Sequence, residues 1–133
     1  MMFPKTRTRK KKYTQRKADH FFSLLVRSRK VCQAKGLDKV TCGGPLQCAH
    51  IISRTNKRLR YDENNCLSLC AGHHRYYTTH SAEWFWDFIP KQFPMQYAYI
   101  QRVRNDIVKN NNKRLQEIAE KTLFQLDKLG IDH

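Results

Sequence analysis

The sequence predicts a small α+β fold, mostly helical, built on two short strands and a helix, with further helices before and after them. Three observations lead there. Apolar residues recur at helical spacing near the N-terminus and again through the last part of the chain. Between these regions, Gln47–Ser53 is apolar, short and flanked by polar or turn-forming residues, as a strand is. Cysteine and histidine crowd the middle, where Leu46–His80 holds four of the six histidines and three of the five cysteines. A core held partly by metal ligation, and not by apolar burial alone, fits that composition.

The 133 residues suit one domain with a modest core. With 26 Lys and Arg against 11 Asp and Glu, the formal charge of +15 has the sign and size that attract phosphate backbones. Nucleic acid is the first partner to consider. No apolar run approaches the ~20 residues of a membrane-spanning helix. Phe21–Val26 follows a positive N-terminus, but it is short and no small-residue cleavage site follows, so a cytoplasmic protein is expected. Five unevenly spaced cysteines interleaved with histidines suit metal ligation in a reducing compartment better than a disulfide framework.

Residues 1–17 read as a basic, flexible arm. Lys5–Lys17, KTRTRKKKYTQRK, cannot bury a core, and its charge favours a phosphate-binding role over a solubilising one. Ala18–Lys30 spaces Phe21, Phe22, Leu25 and Val26 as a core-facing helix, with Arg27, Arg29 and Lys30 toward the negative end of its dipole. Cys32 and Cys42 follow among Gly36, Gly43, Gly44 and Pro45, an irregular loop suited to a metal knuckle. On the strand Gln47–Ser53, Cys48, His50 and Ile52 share one face and Ala49 and Ile51 the other. The polar loop that ends at Asn65 carries Arg54, Lys57, Arg58 and Arg60, as a segment beside an anionic ligand would.

From Cys66 a short second strand or turn runs into a helix that reaches about Thr78 and carries Cys70, His73 and His74. Trp84, Phe85, Trp86 and Phe88 read as core packing ahead of a base-stacking platform. Pro90 and Pro94 break the chain, after which Ile100, Val103 and Ile107 mark a helix. Asn110, Asn111 and Asn112 offer a cap for a last helix with an apolar stripe of Leu115, Ile118, Ala119, Leu123, Leu126 and Leu129, ended by Gly130. That stripe could dock on the core or, in a homodimer, on a second copy.

Helical phase divides the histidines. Cys70 and His73, three residues apart, lie on one face, whereas the adjacent His73 and His74 diverge by about 100°. Cys70 and His73 are assigned to a structural zinc whose tetrahedral set Cys32 and Cys42 complete; Cys48 could replace either, and Cys66 is a buried thiol. His74 is then free to face the strand that carries His50, with Asn65 between them. Phosphodiester hydrolysis needs a base for water and a cation to neutralise charge on the phosphorus oxygens and the leaving O3′. His50 and a metal on His74 could supply both. One histidine on a short strand is more often a packing residue than a base, so the case rests on the constellation.

The order His50, Asn65, His74, set in AHII, a basic loop, NN, LC and C-x2-H-H, resembles the HNH nucleases, whose ββα-metal fold places two strands and a helix around one divalent ion. More closely, ADHFFSLLVRSRKVC through LQCAHIISR, RYDENN, CLSLCAGHH and SAEWFW, about residues 18 to 88, looks like the phage and prophage recombination endonucleases of the NinG (Rap) kind. The resemblance implies a zinc-stabilised ββα-metal core at residues 18–90, with 91–133 as a C-terminal helical extension of the same domain. It makes His50 the general base, Asn65 the asparagine that holds the hairpin and positions the base, and His74 the metal-binding histidine.

Family members usually carry a CxxC pair before the strand and another at the helix start. Here Lys35 stands at the second position of the first pair, with Cys42 as its substitute, and His73 replaces the last cysteine. Ala49 stands where many HNH nucleases place a metal ligand; His80 is a candidate replacement if the helix ends or bends near Thr78, and Asn65, Asp62 or a water are the alternatives. Arg54 and Arg60 are expected to hold the phosphates either side of the scissile one, with Lys57 and Arg58 beside them. The expected activity is Mg²⁺- or Mn²⁺-dependent DNA nicking or cutting with little base specificity. A non-catalytic zinc module that binds nucleic acid is the alternative.

Overall fold

Thr14 opens the part of the chain that the computed structural model describes, residues 14–133, and caps the first helix by accepting a bond from the Lys17 N–H. Helix α1 therefore spans Gln15–Arg27 and not Ala18–Lys30. Gln15–Lys17, assigned to the arm, are its first turn; the rest of the arm lies outside the described residues. The helix stops early because Ser28 and Arg29 tighten onto its last carbonyls and Lys30 takes a left-handed φ of 66°.

Strands β1, Leu46–His50, and β2, Cys66–Cys70, form a two-stranded antiparallel sheet with Leu46 opposite Cys70 and His50 opposite Cys66. β1 ends at His50, short of the expected Ser53, because Asn65 captures the chain beyond it. The Asn65 carbonyl accepts the Ile51 N–H at 2.7 Å and its side-chain oxygen accepts the Ile52 N–H at 2.9 Å. A single 3₁₀ turn, Glu63–Asn65, capped by Asp62, then leads into β2.

The two faces of the hairpin bury different partners. Ala49, Ile51, Leu67 and Leu69 enter the main core with Leu59, Tyr77, Trp84, Phe88, Ile89 and Ile100. Cys66, with Cys48 beside it, meets Phe22 and Val26 of α1 on the other face. The outer edge of β2 is covered: Gln33 exchanges bonds with the backbone of Ser68, and Arg29 donates to the carbonyls of Cys66 and Glu63. The outer edge of β1 borders a cleft described below.

Helix α2, Ala71–Thr79, leaves β2 directly. A helical run follows through α3 (Ser81–Glu83), a π turn (Trp84–Phe88) and α4 (Ile89–Gln92), and Pro94 then opens α5, Pro94–Val103. Pro90 does not break this run. The wide π turn before it carries the Ile89 N–H to the Trp84 carbonyl and accommodates a residue that has no N–H of its own. Of the aromatic cluster only Trp84 and Phe88 are buried, both against Tyr77, whereas Trp86 is 71% exposed. Ile107, expected on a helix, lies beyond the end of α5 and is exposed.

Asn111 caps α6, Asn112–Lys128, by accepting the Arg114 N–H at 2.9 Å. Its stripe docks within the same chain: Ala119 and Leu126 pack against Phe21 and Leu25 of α1, which leaves Phe124 and Leu129 as its exposed large apolar residues. Ala119 and Leu126 of that stripe are thus buried inside the chain. The result is a small mixed α/β structure, about 53% helical, with a two-stranded sheet. No helix among the described residues is long and apolar enough to cross a membrane.

Because α1 is gripped between the hairpin and α6, truncating the centre of that contact loosens the whole N-terminal layer. Leu126→Ala is expected to cost about 2–5 kcal/mol, read as a lowered midpoint in urea unfolding with an unchanged slope.

Candidate functional site

Three segments that are far apart in sequence bring four metal-ligating atoms together. The sulfurs of Cys32, Cys42 and Cys70 and the ring of His73 all lie within 4.8 Å of one another. Nδ1 of His73 stands 3.6 Å from Cys32 Sγ, 3.5 Å from Cys42 Sγ and 3.2 Å from Cys70 Sγ. A tetrahedral ion with metal–sulfur bonds of about 2.3 Å and metal–nitrogen bonds of about 2.05 Å separates S from N by roughly 3.6 Å, so the donor set fits such an ion. These are the four residues that the cysteine and histidine spacing singles out. Cys48 is not among them: it lies on the α1 side of the hairpin, near His50 and Cys66.

The surroundings of the cluster suit a cation. Burial opposes a charged Cys70, but the backbone N–H groups of His73 and Gly43 and the side chains of His73 and Cys32 outweigh it and bring the thiol down to about 6. Cys42, desolvated and facing the Cys32 and Cys70 sulfurs, is pushed up to about 11. Thiolates this close repel one another, and a cation between them would relieve that repulsion. His73 is fully buried; its Nε2 meets Asp38 Oδ1 at 2.8 Å, and Tyr77 donates to the other Asp38 oxygen at 2.6 Å. A carboxylate behind the ring fixes Nδ1 as the ligating nitrogen. The loop carrying Cys42 lies directly on the first turn of α2, where a Cβ on Gly72 would come within 3.2 Å of the Thr41 carbonyl. Gly44 closes that loop with a φ of +80°.

His50, the last residue of β1, opens the second part of the site. Its Nε2 bonds the Arg60 carbonyl at 2.9 Å. A carbonyl can only accept, so Nε2 holds the proton and Nδ1 carries the free lone pair. Burial, and then the positive charges of Arg54 and Arg60, hold the imidazole below its ordinary value against the opposing effects of the Arg60 carbonyl and Asp19. The ring is thus neutral at pH 7, with a basic nitrogen available. Asn65 is fully buried and does not reach into the cleft: besides Ile52 N–H, it serves the carbonyls of Ile52 and Leu59 at 3.0 and 3.1 Å. It therefore sets the loop whose next residue, Arg60, orients His50.

His74 and His50 line one cleft along the free edge of β1, between α1 and α2, with Asp19, Ser53, Arg54 and Thr78 among its other walls. Nδ1 of His74 meets Gln47 Oε1 at 2.6 Å, which places the proton there and leaves Nε2 as donor to an ion. Burial keeps this ring, too, below its ordinary value. The expected partner His80 is elsewhere. Helix α2 ends at Thr79, and the His80 ring stacks on Tyr76 at 4.1 Å and bonds the Tyr76 carbonyl. The alternatives are engaged as well: Asn65 by the backbone, and Asp62 by Arg58, Tyr99 and the Asn64 N–H. Ala49 faces the apolar core and contributes nothing to the cleft.

Two of the four expected phosphate contacts are committed within the chain. Arg60 holds both oxygens of Asp19, at 3.0 and 2.7 Å, and Arg58 pairs with Asp62 at 2.9 Å. Arg54 lines the cleft and Lys57 is exposed. Asp19, Asp38 and Gln47 went unforeseen. Only Asp19 carried a signal, as an acid on the polar side of an amphipathic helix; Asp38 and Gln47 act through tertiary contacts that no local pattern records.

Asp38→Ala should leave the fold intact at saturating metal and weaken the Cys32–Cys42–Cys70–His73 site by roughly 10–100-fold, measured by competition with a chelating dye. No family model, curated protein or solved structure matches this chain.

Proposed function

We propose that the protein is a divalent-metal-dependent DNA endonuclease of the HNH, ββα-metal kind, with a structural zinc at Cys32, Cys42, Cys70 and His73. One observation carries the reading: a neutral imidazole, His50, has its tautomer fixed by a backbone carbonyl and lines a cleft shared with a second histidine and an arginine. Geometry of this kind serves proton removal from water more than packing.

In this reading His50 Nδ1 takes the proton of a water that attacks phosphorus, and O3′ leaves, giving 5′-phosphate and 3′-hydroxyl ends. Arg60, neutralised by Asp19, holds the base through its carbonyl and does not bind phosphate. Arg54 is the phosphate contact at the cleft, and Lys57 and the +15 net charge supply sequence-independent attraction. His74 Nε2 would hold Mg²⁺ or Mn²⁺, which supplies charge neutralisation at the phosphorus oxygens and the leaving group. With few protein ligands, the ion would take much of its coordination from substrate and water, as Mg²⁺ commonly does. The competing reading, a zinc module that binds nucleic acid without cutting it, draws on Ala49, since that position gives the cleft no second ligand.

His50→Ala is expected to abolish plasmid nicking in Mg²⁺ or Mn²⁺ while zinc content and DNA affinity stay near wild type. Undiminished nicking would remove His50 as the base, and no ion-dependent nicking by the wild type would favour the non-catalytic module. The pH profile gives a further check. A base held below the ordinary histidine value of about 6.5 stays unprotonated to lower pH, so single-turnover cleavage at saturating metal should keep its plateau down to about pH 6.5 and fall only below it. An acidic limb centred above that value would contradict the desolvated site.

A further inference from the structure

We propose that Cys48, His50 and Cys66 form a second metal site, selective for zinc-like cations, and that its occupation takes His50 out of use as a base. The three donor atoms lie within 4.8 Å of one another. They share one face of the hairpin: Cys66 is opposite His50 in register, and Cys48 precedes His50 by two residues on the same side. Cys66 is fully buried, whereas Cys48 and His50 also line the cleft, which gives an ion an entry path and a fourth position for water. Three protein ligands with one open place is a common zinc arrangement, and two thiolates favour zinc strongly over Mg²⁺.

This trio shares no residue with the Cys32–Cys42–Cys70–His73 cluster. Cys66 and Cys70 stand at opposite ends of β2, on the order of 13 Å apart at ~3.3 Å per residue. Neither cysteine has a part in the proposed hydrolysis. The position of His50 decides the consequence: Nε2 is held by the Arg60 carbonyl, so Nδ1 is the lone pair that both a water and an ion would need. An ion on Nδ1 displaces the base directly, and one on Nε2 breaks the bond that orients it. The metal site stands on geometry alone; the inhibitory consequence rests on the nuclease reading.

The test uses the reduced 133-residue protein with its zinc content measured beforehand, titrated with Co²⁺. A cobalt-binding event with thiolate-to-cobalt charge-transfer absorption is expected, lost in Cys48→Ala and in Cys66→Ser, with the initial zinc content of both variants unchanged. Absence of that absorption from the wild type, or its full persistence in Cys48→Ala, would overturn the site. Cleavage in Mg²⁺ with added zinc reads the consequence. Wild type should be inhibited as the second site fills, and Cys48→Ala should need more zinc by a factor beyond the roughly 10–100-fold that loss of a mere outer-shell partner costs. Equal zinc sensitivity of the two proteins would overturn the inhibitory role. A protein that takes up cobalt at this site but never cuts DNA would sink the nuclease reading and leave the metal site supported.

Discussion

The buried carboxamide of Asn65 is the constraint on which the hairpin and its cleft depend. Its oxygen and nitrogen hold both backbone groups of Ile52 and the carbonyl of Leu59, and its own carbonyl takes the Ile51 N–H. These bonds end β1 at His50, fold the long loop back over the core and start β2 in register. They also decide where the Arg60 carbonyl lies, and hence which nitrogen of His50 carries a proton. Loss of such a side chain would strand several buried polar groups, each worth about 1–3 kcal/mol. A polar residue at the centre of an apolar core is retained here because it satisfies backbone that no strand or helix pairs.

The adjacent histidines of α2 show how one turn of helix can serve two unrelated tasks. His73 points inward to three thiols and is backed by Asp38, while His74 points to the cleft and is backed by Gln47. Each imidazole has one nitrogen committed to an oxygen acceptor and the other left for a cation. The cysteine–histidine cluster joins the loop before β1 to the start of α2, the helix from which His74 projects. On the nuclease reading, a cluster with no part in the reaction would set the position of a group that has one.

Much of this was legible in the sequence, and the reasons it was or was not are physical. The divergence of His73 from His74 follows from helical geometry, and the asparagine run announces the cap of α6; Cys70, expected on the helix, instead ends β2 and meets His73 from the extended N-cap of α2. Of the two prolines expected to break the chain, Pro94 opens α5 as suits a first helical residue, but Pro90 is tolerated because the π turn widens the helix before it. Arg58 and Arg60 looked free because their partners, Asp62 with Tyr99 and Asp19, come from contacts that composition does not report. His80 failed as a ligand for a related reason: the end of α2 gave its ring an aromatic neighbour and a carbonyl on the helix itself.

Ala49 gains a different meaning from its place in the fold. On the hairpin Cys48 and His50 face α1 and the cleft, whereas Ala49 and Ile51 join the core of Tyr77, Trp84 and Ile100, and Ile52, expected on the Cys48 face, packs against that same core because β1 ends at His50. A carboxylate at position 49 would have to be buried there among apolar side chains, at a cost of several kcal/mol unless an ion or a hydrogen-bond partner met it. With alanine, the core closes over that point, and the polar groups of the cleft are imidazoles, the Cys48 thiol, hydroxyls, Arg54 and an acid already bound to Arg60. On the proposed reading, a site so poor in carboxylates binds a hard cation weakly until a phosphate arrives to share it. Metal and DNA would then bind cooperatively, each completing the coordination that the chain leaves open.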